Sequence, residues 1–177
     1  YSLQLLPYFN QFFRLSLSQG KDMIPLEKEL EHATSYLAIQ NIRFKDKFEF
    51  YVNADENLMK YLCPKLSIQP LLENAIYHGM EGKYEDGEIY INVYEKDDVI
   101  YIDVVDNGLG MSAEKIEYIL TNKVVSSKRG SGIGVRNVNE RIKLLYGNQY
   151  GIFMASELDE GTTATITFPK LEEIDEK

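Results

Sequence analysis

Val99-Ile100-Tyr101-Ile102-Asp103-Val104-Val105-Asp106-Asn107-Gly108-Leu109-Gly110 is a strongly apolar stretch that stops at an acid and a glycine-rich turn. Such a run reads as a strand that ends in a loop. Ahead of it, Glu88 to Glu95 alternates, with Ile89, Ile91 and Val93 on one face, and Asp97-Asp98 supplies the turn between them. The two runs therefore predict a β-hairpin. Asp106 would stand at the strand end, where its carboxylate can accept from an exocyclic amine such as that of adenine. Gly108 and Gly110 leave space for a flat base and permit positive φ. A plain Asp-Asn-Gly turn accounts for the same residues equally simply.

Working outward, Phe48, Phe50 and Val52 alternate with Glu49 and Tyr51, the pattern of a half-buried strand. A helical stretch follows from about Pro64 to His78, bent at Pro70, which lacks a backbone donor. Beyond Gly110, Ser112 caps a short helix to Leu120, and 121–128 reads as a polar loop. Gly134 opens a helix with Val138, Ile142 and Leu145 on one stripe, ended by Gly147. Two last strands, about Tyr150 to Glu157 and Thr162 to Phe168, close at Pro169. On the other side, Leu6, Phe9, Phe13 and Leu17 share a helical stripe, and a second helix runs from about Pro25 to Phe44. These two helices predict an antiparallel hairpin, either buried against the rest of the chain or serving to dimerise. The change of period after Arg43 divides the chain into residues 1–45, a helical hairpin, and residues 46–177, a second domain.

Two further patches carry chemistry. Asn74 and His78 are four apart on the helix and share a face, with Glu73 about 100° round from Asn74. An amide oxygen is a suitable hard ligand for Mg²⁺, which takes few protein ligands beside phosphate and water. Glu73 could take a proton from, or orient, an attacking nucleophile. A polar helix face whose Asn and His are satisfied by neighbours is the other reading. In Gly130-Ser131-Gly132-Ile133-Gly134, glycines opening a helix aim N–H groups at an anion. Lys128 and Arg129 could reach phosphate oxygens, or simply solvate the loop. Val135 stands where a dinucleotide fingerprint has its third glycine, and the Gly-Lys-Ser/Thr ending of a P-loop is missing. Gly161-Thr162-Thr163 makes a fourth and weaker patch, also readable as a turn glycine among β-formers. Two histidines and one cysteine give no zinc spacing. Ser112-Ala113-Glu114-Lys115 matches Ser-x-x-Lys, but no Ser-Asp-Asn or Lys-Thr-Gly follows it. The order and spacing of the patches point to Mg-ATP.

Composition narrows the classes. With 177 residues there is room for one domain and a smaller appendage. A net charge of -9 without a Lys/Arg stripe argues against broad nucleic-acid affinity. The anionic nucleotide must then be held locally, by N–H groups, a divalent cation and selected basic residues. Cys63, the only cysteine, allows no internal disulfide. No apolar run reaches the ~20 residues of a membrane span, so membrane attachment would come only through segments upstream of Tyr1.

In these residues the chain resembles the ATP-binding superfamily of DNA gyrase, heat-shock chaperone, histidine kinase and MutL. Residues 71–79, Leu71 to Gly79, resemble its N box, 106–110 the first glycine box, 130–134 the second and 161–163 the last. Within it, Leu26 to Phe44, Ser67 to Ala75 and Gly134 to Ile142 resemble sensor histidine kinases of the LytS and YesM type. The resemblance implies an α+β fold, a two-layer α/β sandwich with a mixed, mainly antiparallel sheet of Bergerat type, preceded by the helical hairpin. It implies Asn74 as Mg²⁺ ligand, Asp106 as adenine reader and Glu73 as an aid to phosphoryl transfer. His78, Lys128, Arg129, Gly108, Gly110, Gly130, Gly132, Gly134 and Thr163 would contact the nucleotide, under a lid between Gly110 and Gly130. The γ-phosphoryl group of ATP would pass to a histidine and then to a response regulator, in a homodimer. The setting implied is the cytoplasmic side of a bacterial inner-membrane receptor. Such kinases carry their phosphoacceptor in a Pro-His-Phe motif absent from 1–177, and His32 is not placed like it; the chain is therefore expected to bind ATP without phosphorylating itself. An ATP-gated clamp ATPase and an anti-sigma-type serine kinase are the rival functions on this fold.

Overall fold

The predicted hairpin organises the computed structural model, which describes residues 7, 8, 10, 13, 22–45, 47–79, 86–121 and 133–172, the side chains of 78 and 79 excepted. In chain order the elements are β1 (Met23–Pro25), α1 (Leu26–Arg43), β2 (Phe48–Ala54), β3 (Leu62–Pro64), α2 (Gln69–Asn74), β4 (Gly87–Lys96), β5 (Val99–Asp106), α3 (Ala113–Thr121), α4 (Ile133–Tyr146), β6 (Gly151–Glu157) and β7 (Gly161–Pro169). Pairing of Lys96 with Val99 leaves Asp97 and Asp98 as a two-residue loop, both at positive φ. That geometry suits the right-handed twist of the strands it joins.

Five strands form one sheet in the order β2-β4-β5-β7-β6. Only β2 and β4 run parallel; the other neighbours are antiparallel. The result is an α+β two-layer sandwich. Ile89, Ile91 and Val93 of β4, Ile100, Ile102 and Val104 of β5 and Ala164, Ile166 and Phe168 of β7 are buried together with Leu26, Leu37, Leu71, Leu72, Val138 and Ile142 of the helices. The opposite face is open, and stacked pairs of rings lie across it, Tyr51 on Tyr90 at 4.9 Å and Tyr94 on Tyr101 at 5.2 Å.

Several local expectations are refined. Of the first helix of the hairpin, only Pro7, Tyr8, Asn10 and Phe13 are described, and they are helical; the rest lies outside the described residues. The second helix is α1. Its first N–H groups have no side-chain cap; Leu26 donates to the Tyr61 carbonyl at 2.8 Å and Glu27 to that of Met59 at 3.0 Å. A short antiparallel ribbon of β1 and β3 brings those carbonyls there. Pro64 belongs to β3 instead of starting a helix, and Pro70 sits in the first turn of α2 instead of bending it. In the first turn a missing N–H costs nothing, because no partner waits for it. Ser112 caps α3, accepting from Lys115 N–H at 3.3 Å, and Gly147 N–H returns to the Lys143 carbonyl at 2.9 Å.

Candidate nucleotide-binding site

The sheet delivers Asp106 to the end of β5, 4% exposed, with its Oδ1 accepting from Gly108 N–H at 2.9 Å. This is no plain turn. Asn107 Oδ1 accepts from Glu88 N–H at 2.8 Å while its Nδ2 donates to the Asp86 carbonyl at 3.0 Å, tying the loop to the start of β4. On the other side Asp159 N–H donates to the Leu109 carbonyl at 2.8 Å, and Met111 N–H to Ser156 Oγ at 2.8 Å. Loop 107–111 is thus clamped between two hairpins.

Glycines permit the clamp. At Gly110, φ is +66° and a Cβ would lie 1.9 Å from the Glu157 carbonyl oxygen. At Gly161, φ is +113° and a Cβ would lie 2.0 Å from the carbonyl oxygen of Asp106. The weakest patch in the sequence therefore packs directly against the second one. Register also decides between the threonines that follow: Asp106 pairs with Thr162 and Val105 with Thr163. Side chains alternate along a strand, so Thr162, buried and 2.9 Å from Ser156 Oγ, shares the face of Asp106, while Thr163 lies on the opposite face. Thr163 is the residue expected from the sequence; Thr162 and Ser156, which the sequence did not single out, stand beside it. A cavity of about 340 Å³ at this rim is lined by Asp106, Ser156, Gly161 and both threonines.

Asn74 ends α2 and is 6% exposed, and its Oδ1 has no hydrogen-bond partner among the described residues. A buried polar atom left unmatched costs about 1–3 kcal/mol. This amide oxygen is the kind of donor a hard cation takes, and no cluster of three or more His, Cys, Asp or Glu offers a rival metal site among the described residues. Glu73 is half-buried; it accepts from Gln69 Nε2 at 2.9 Å and faces Tyr36. Burial first, then the Glu73 charge, pushes the Tyr36 hydroxyl pKa up. After Asn74 the helix widens into a π turn over Ala75–Gly79, which contains His78. Such turns are rare and frequent at functional sites. Gly134 is the second residue of α4, where a Cβ would lie 3.1 Å from Pro70 Cβ, so the start of α4 abuts the start of α2. Lys128, Arg129, Gly130 and Gly132, and with them the part of the expected lid from 122 onward, lie outside the described residues, as does the His78 side chain.

Residues 64–172, more than half of the chain, match the model of the "Histidine kinase-, DNA gyrase B-, and HSP90-like ATPase" family, and residues 2–48 match that of the "Histidine kinase" family. The sensor protein LytS of Bacillus cereus is 37% identical over 94% of this chain and 28% of its own length. The sensor histidine kinase YesM of Bacillus subtilis is 34% identical over 91% of this chain and 26% of its own. The chain thus spans under a third of these relatives. Among solved structures, the catalytic domain of histidine kinase ThkA superposes with a TM-score of 0.64 at 17% identity, covering 84% of this chain and 95% of that one. The mycobacterial sensor histidine kinase MprB gives 0.62 at 15%, covering 85% and 98%. These last two speak for the fold. The chain belongs to the histidine kinase-, DNA gyrase B- and HSP90-like ATPase family, as an ATP-binding catalytic domain of the histidine-kinase type.

Proposed function

We propose that this domain binds Mg-ATP and presents its γ-phosphoryl group to a histidine outside residues 1–177, from which an aspartate of a response regulator takes it. Residues 1–45 would belong to a dimerising and phosphotransfer region and 46–177 to the catalytic domain. The whole protein would be a homodimer, anchored through other segments to a bacterial inner membrane with this domain in the cytoplasm. Among the described residues no helix is long and apolar enough to cross a membrane.

Asp106 is the observation that carries the reading. It is a buried carboxylate at a strand end, fixed by a backbone N–H, in a residue that lines a rim cavity. Such a group accepts from the exocyclic amine of adenine, where guanine presents a carbonyl oxygen instead. Gly108, Gly110 and Gly161 hold the loop close enough for a flat base to lie on it. Toward the phosphates, the N–H groups of the Gly130, Gly132 and Gly134 box, with Lys128, Arg129 and His78, would offset the charge. Asn74 would hold Mg²⁺, which would supply neutralisation of the charge that develops on the phosphates. Glu73 would orient the incoming nucleophile. Phosphoryl transfer asks little more of a protein than such positioning.

Asp106→Asn tests the base assignment. Wild type should prefer ATP over GTP, and the amide, which can donate to the guanine oxygen, should lower ATP affinity about tenfold and erase the preference. Unchanged discrimination in a nucleotide titration would remove Asp106 as the reader. A second expectation concerns His32. It is 1% exposed, and burial, with Lys65 adding, pushes its pKa down to about 4, so it is neutral and shut off from solvent. Incubation with labelled Mg-ATP should leave it without acid-labile phosphate; label at His32 would refute the placement of the phosphoacceptor elsewhere.

A further inference from the structure

One buried node stands outside the nucleotide site and holds the segment that leads into the helix ending at Asn74. Glu29, in α1, is 1% exposed. Its Oε1 accepts from Ser67 N–H at 2.7 Å and Ile68 N–H at 3.0 Å, and its Oε2 from Leu66 N–H at 3.0 Å. Ile68 immediately precedes α2, which lacks a side-chain cap of its own, so Glu29 satisfies the helix start from another element. Leu66 is held at φ +59°, a conformation that a leucine adopts only when its surroundings fix it. From the far side, Arg141 of α4 donates to the Lys65 carbonyl at 2.7 Å and to Ser67 Oγ at 3.1 Å. The segment 65–68 is thereby tied to α1 and α4 together, while Pro70 and Gly134 touch one turn away.

The other end of the same helical stretch is gripped too. Arg43, the last residue of α1, donates to the Tyr77 hydroxyl at 3.2 Å. Phe44 meets the Tyr77 ring edge-on at 6.3 Å, and the Tyr36 hydroxyl is hydrogen-bonded to that of Tyr77. Asn74 lies between these two grips. A shift of α1 cannot leave Asn74 where it is, because both flanks of its helix are attached to α1.

We propose that Glu29 is a positioning residue for the nucleotide site: it fixes the start of α2, and with it Asn74, to the N-terminal helix, while Arg141 fixes the same segment to the helix opened by Gly134. Nucleotide affinity and the placement of α1 are then coupled, and the coupling is reciprocal. This rests on the Mg-ATP reading above, with Asn74 as the residue through which Glu29 acts.

The test uses the 177-residue chain with Glu29→Gln, titrated with ATP in magnesium and with ATP in excess EDTA. The variant's amide presents one donor group to three N–H groups, so the start of α2 loosens. Magnesium-dependent affinity is expected to fall about tenfold and metal-free affinity to change less than about twofold. In an Asn74→Ala background the Glu29→Gln effect should vanish, since the two act through one contact. An equal loss with and without metal, no loss, or an additive loss overturns the proposal. If wild type binds no adenine nucleotide under either condition, the Mg-ATP reading itself fails, and this proposal with it. Ser67→Ala, which deletes one anchor of Arg141 and keeps Glu29, decides the matter should Glu29→Gln not fold. It is expected to lower magnesium-dependent affinity about threefold with the same split, and an unchanged affinity overturns the proposal.

Discussion

Asn74→Ala is expected to lower Mg-ATP affinity on the order of a hundredfold while leaving the fold intact, because it deletes the one protein ligand assigned to the cation. The two effects separate for a physical reason. Truncating a buried residue normally leaves a cavity and costs stability. Here the same change also removes an amide oxygen that has no hydrogen-bond partner among the described residues, and relief of that atom offsets the lost packing. Stability should therefore stay within about 1 kcal/mol of wild type. Excess EDTA should bring wild type down to the level of the variant and leave the variant unchanged. Calorimetric titration with and without metal reads both, and thermal melting gives the control. Equal Mg-ATP affinities for wild type and variant would remove the assignment; a matching fall in metal-free affinity would show a folding defect instead.

Much of the sheet was legible because its signals are local. The turn at Asp97-Asp98, the period-two runs on either side and the glycines at 108, 110, 134 and 147 each announce themselves within a few residues, and β4, β5, α4 and the last hairpin appear where those signals place them. What escaped depends on partners far along the chain. The ribbon of β1 and β3 has three residues in each strand, too short for any period to show. Pro70 could be read as a bend or a beginning, and only the pairing of Pro64 with Met23 excludes a helix start before it. The caps of α1 and α2 are supplied by the carbonyls of Met59 and Tyr61 and by the carboxylate of Glu29, from other elements in both cases. No capping box could have announced them.

The site divides in the same way. Asp106 and Asn74 stood out as residue types in suggestive places, and the structure buries both. Which of Thr162 and Thr163 shares the face of Asp106 is a matter of register, since one residue along β7 reverses the face and only the pairing with β5 fixes which is which. Ser156 carried no sequence signal at all. Its role comes from accepting Met111 N–H on one side and meeting Thr162 on the other, two contacts that exist only once the hairpin has closed on the loop.

Gly161→Ala is expected to damage stability and binding together. At φ +113° a side chain is strained whatever the space, at a cost of about 1–3 kcal/mol. Space is lacking as well: the added Cβ would stand 2.0 Å from the Asp106 carbonyl oxygen and 2.9 Å from Asn107 Cα. Both are backbone atoms, so no side-chain rotation gives relief, and overpacking of this kind adds about 1–3 kcal/mol. The combined loss, about 3 kcal/mol, lowers the melting temperature by about 6–12 °C. Strand β5 cannot retreat, because it is paired on its other edge to β4. What gives way is the junction of β5 and its loop, which carries the Asp106 carboxylate and the Gly108 N–H that fixes it. ATP affinity should fall at least tenfold even at temperatures where the variant is folded. Gly147→Ala is the matched control: its φ is also positive, at +103°, but the three atoms nearest its added Cβ all belong to the side chain of Gln149, which can swing aside. It should cost about 1 kcal/mol and leave ATP affinity untouched. Melting curves and ATP titrations of the two variants side by side check the difference, and a folded Gly161→Ala chain with wild-type affinity would show that loop 107–111 does not hold the base.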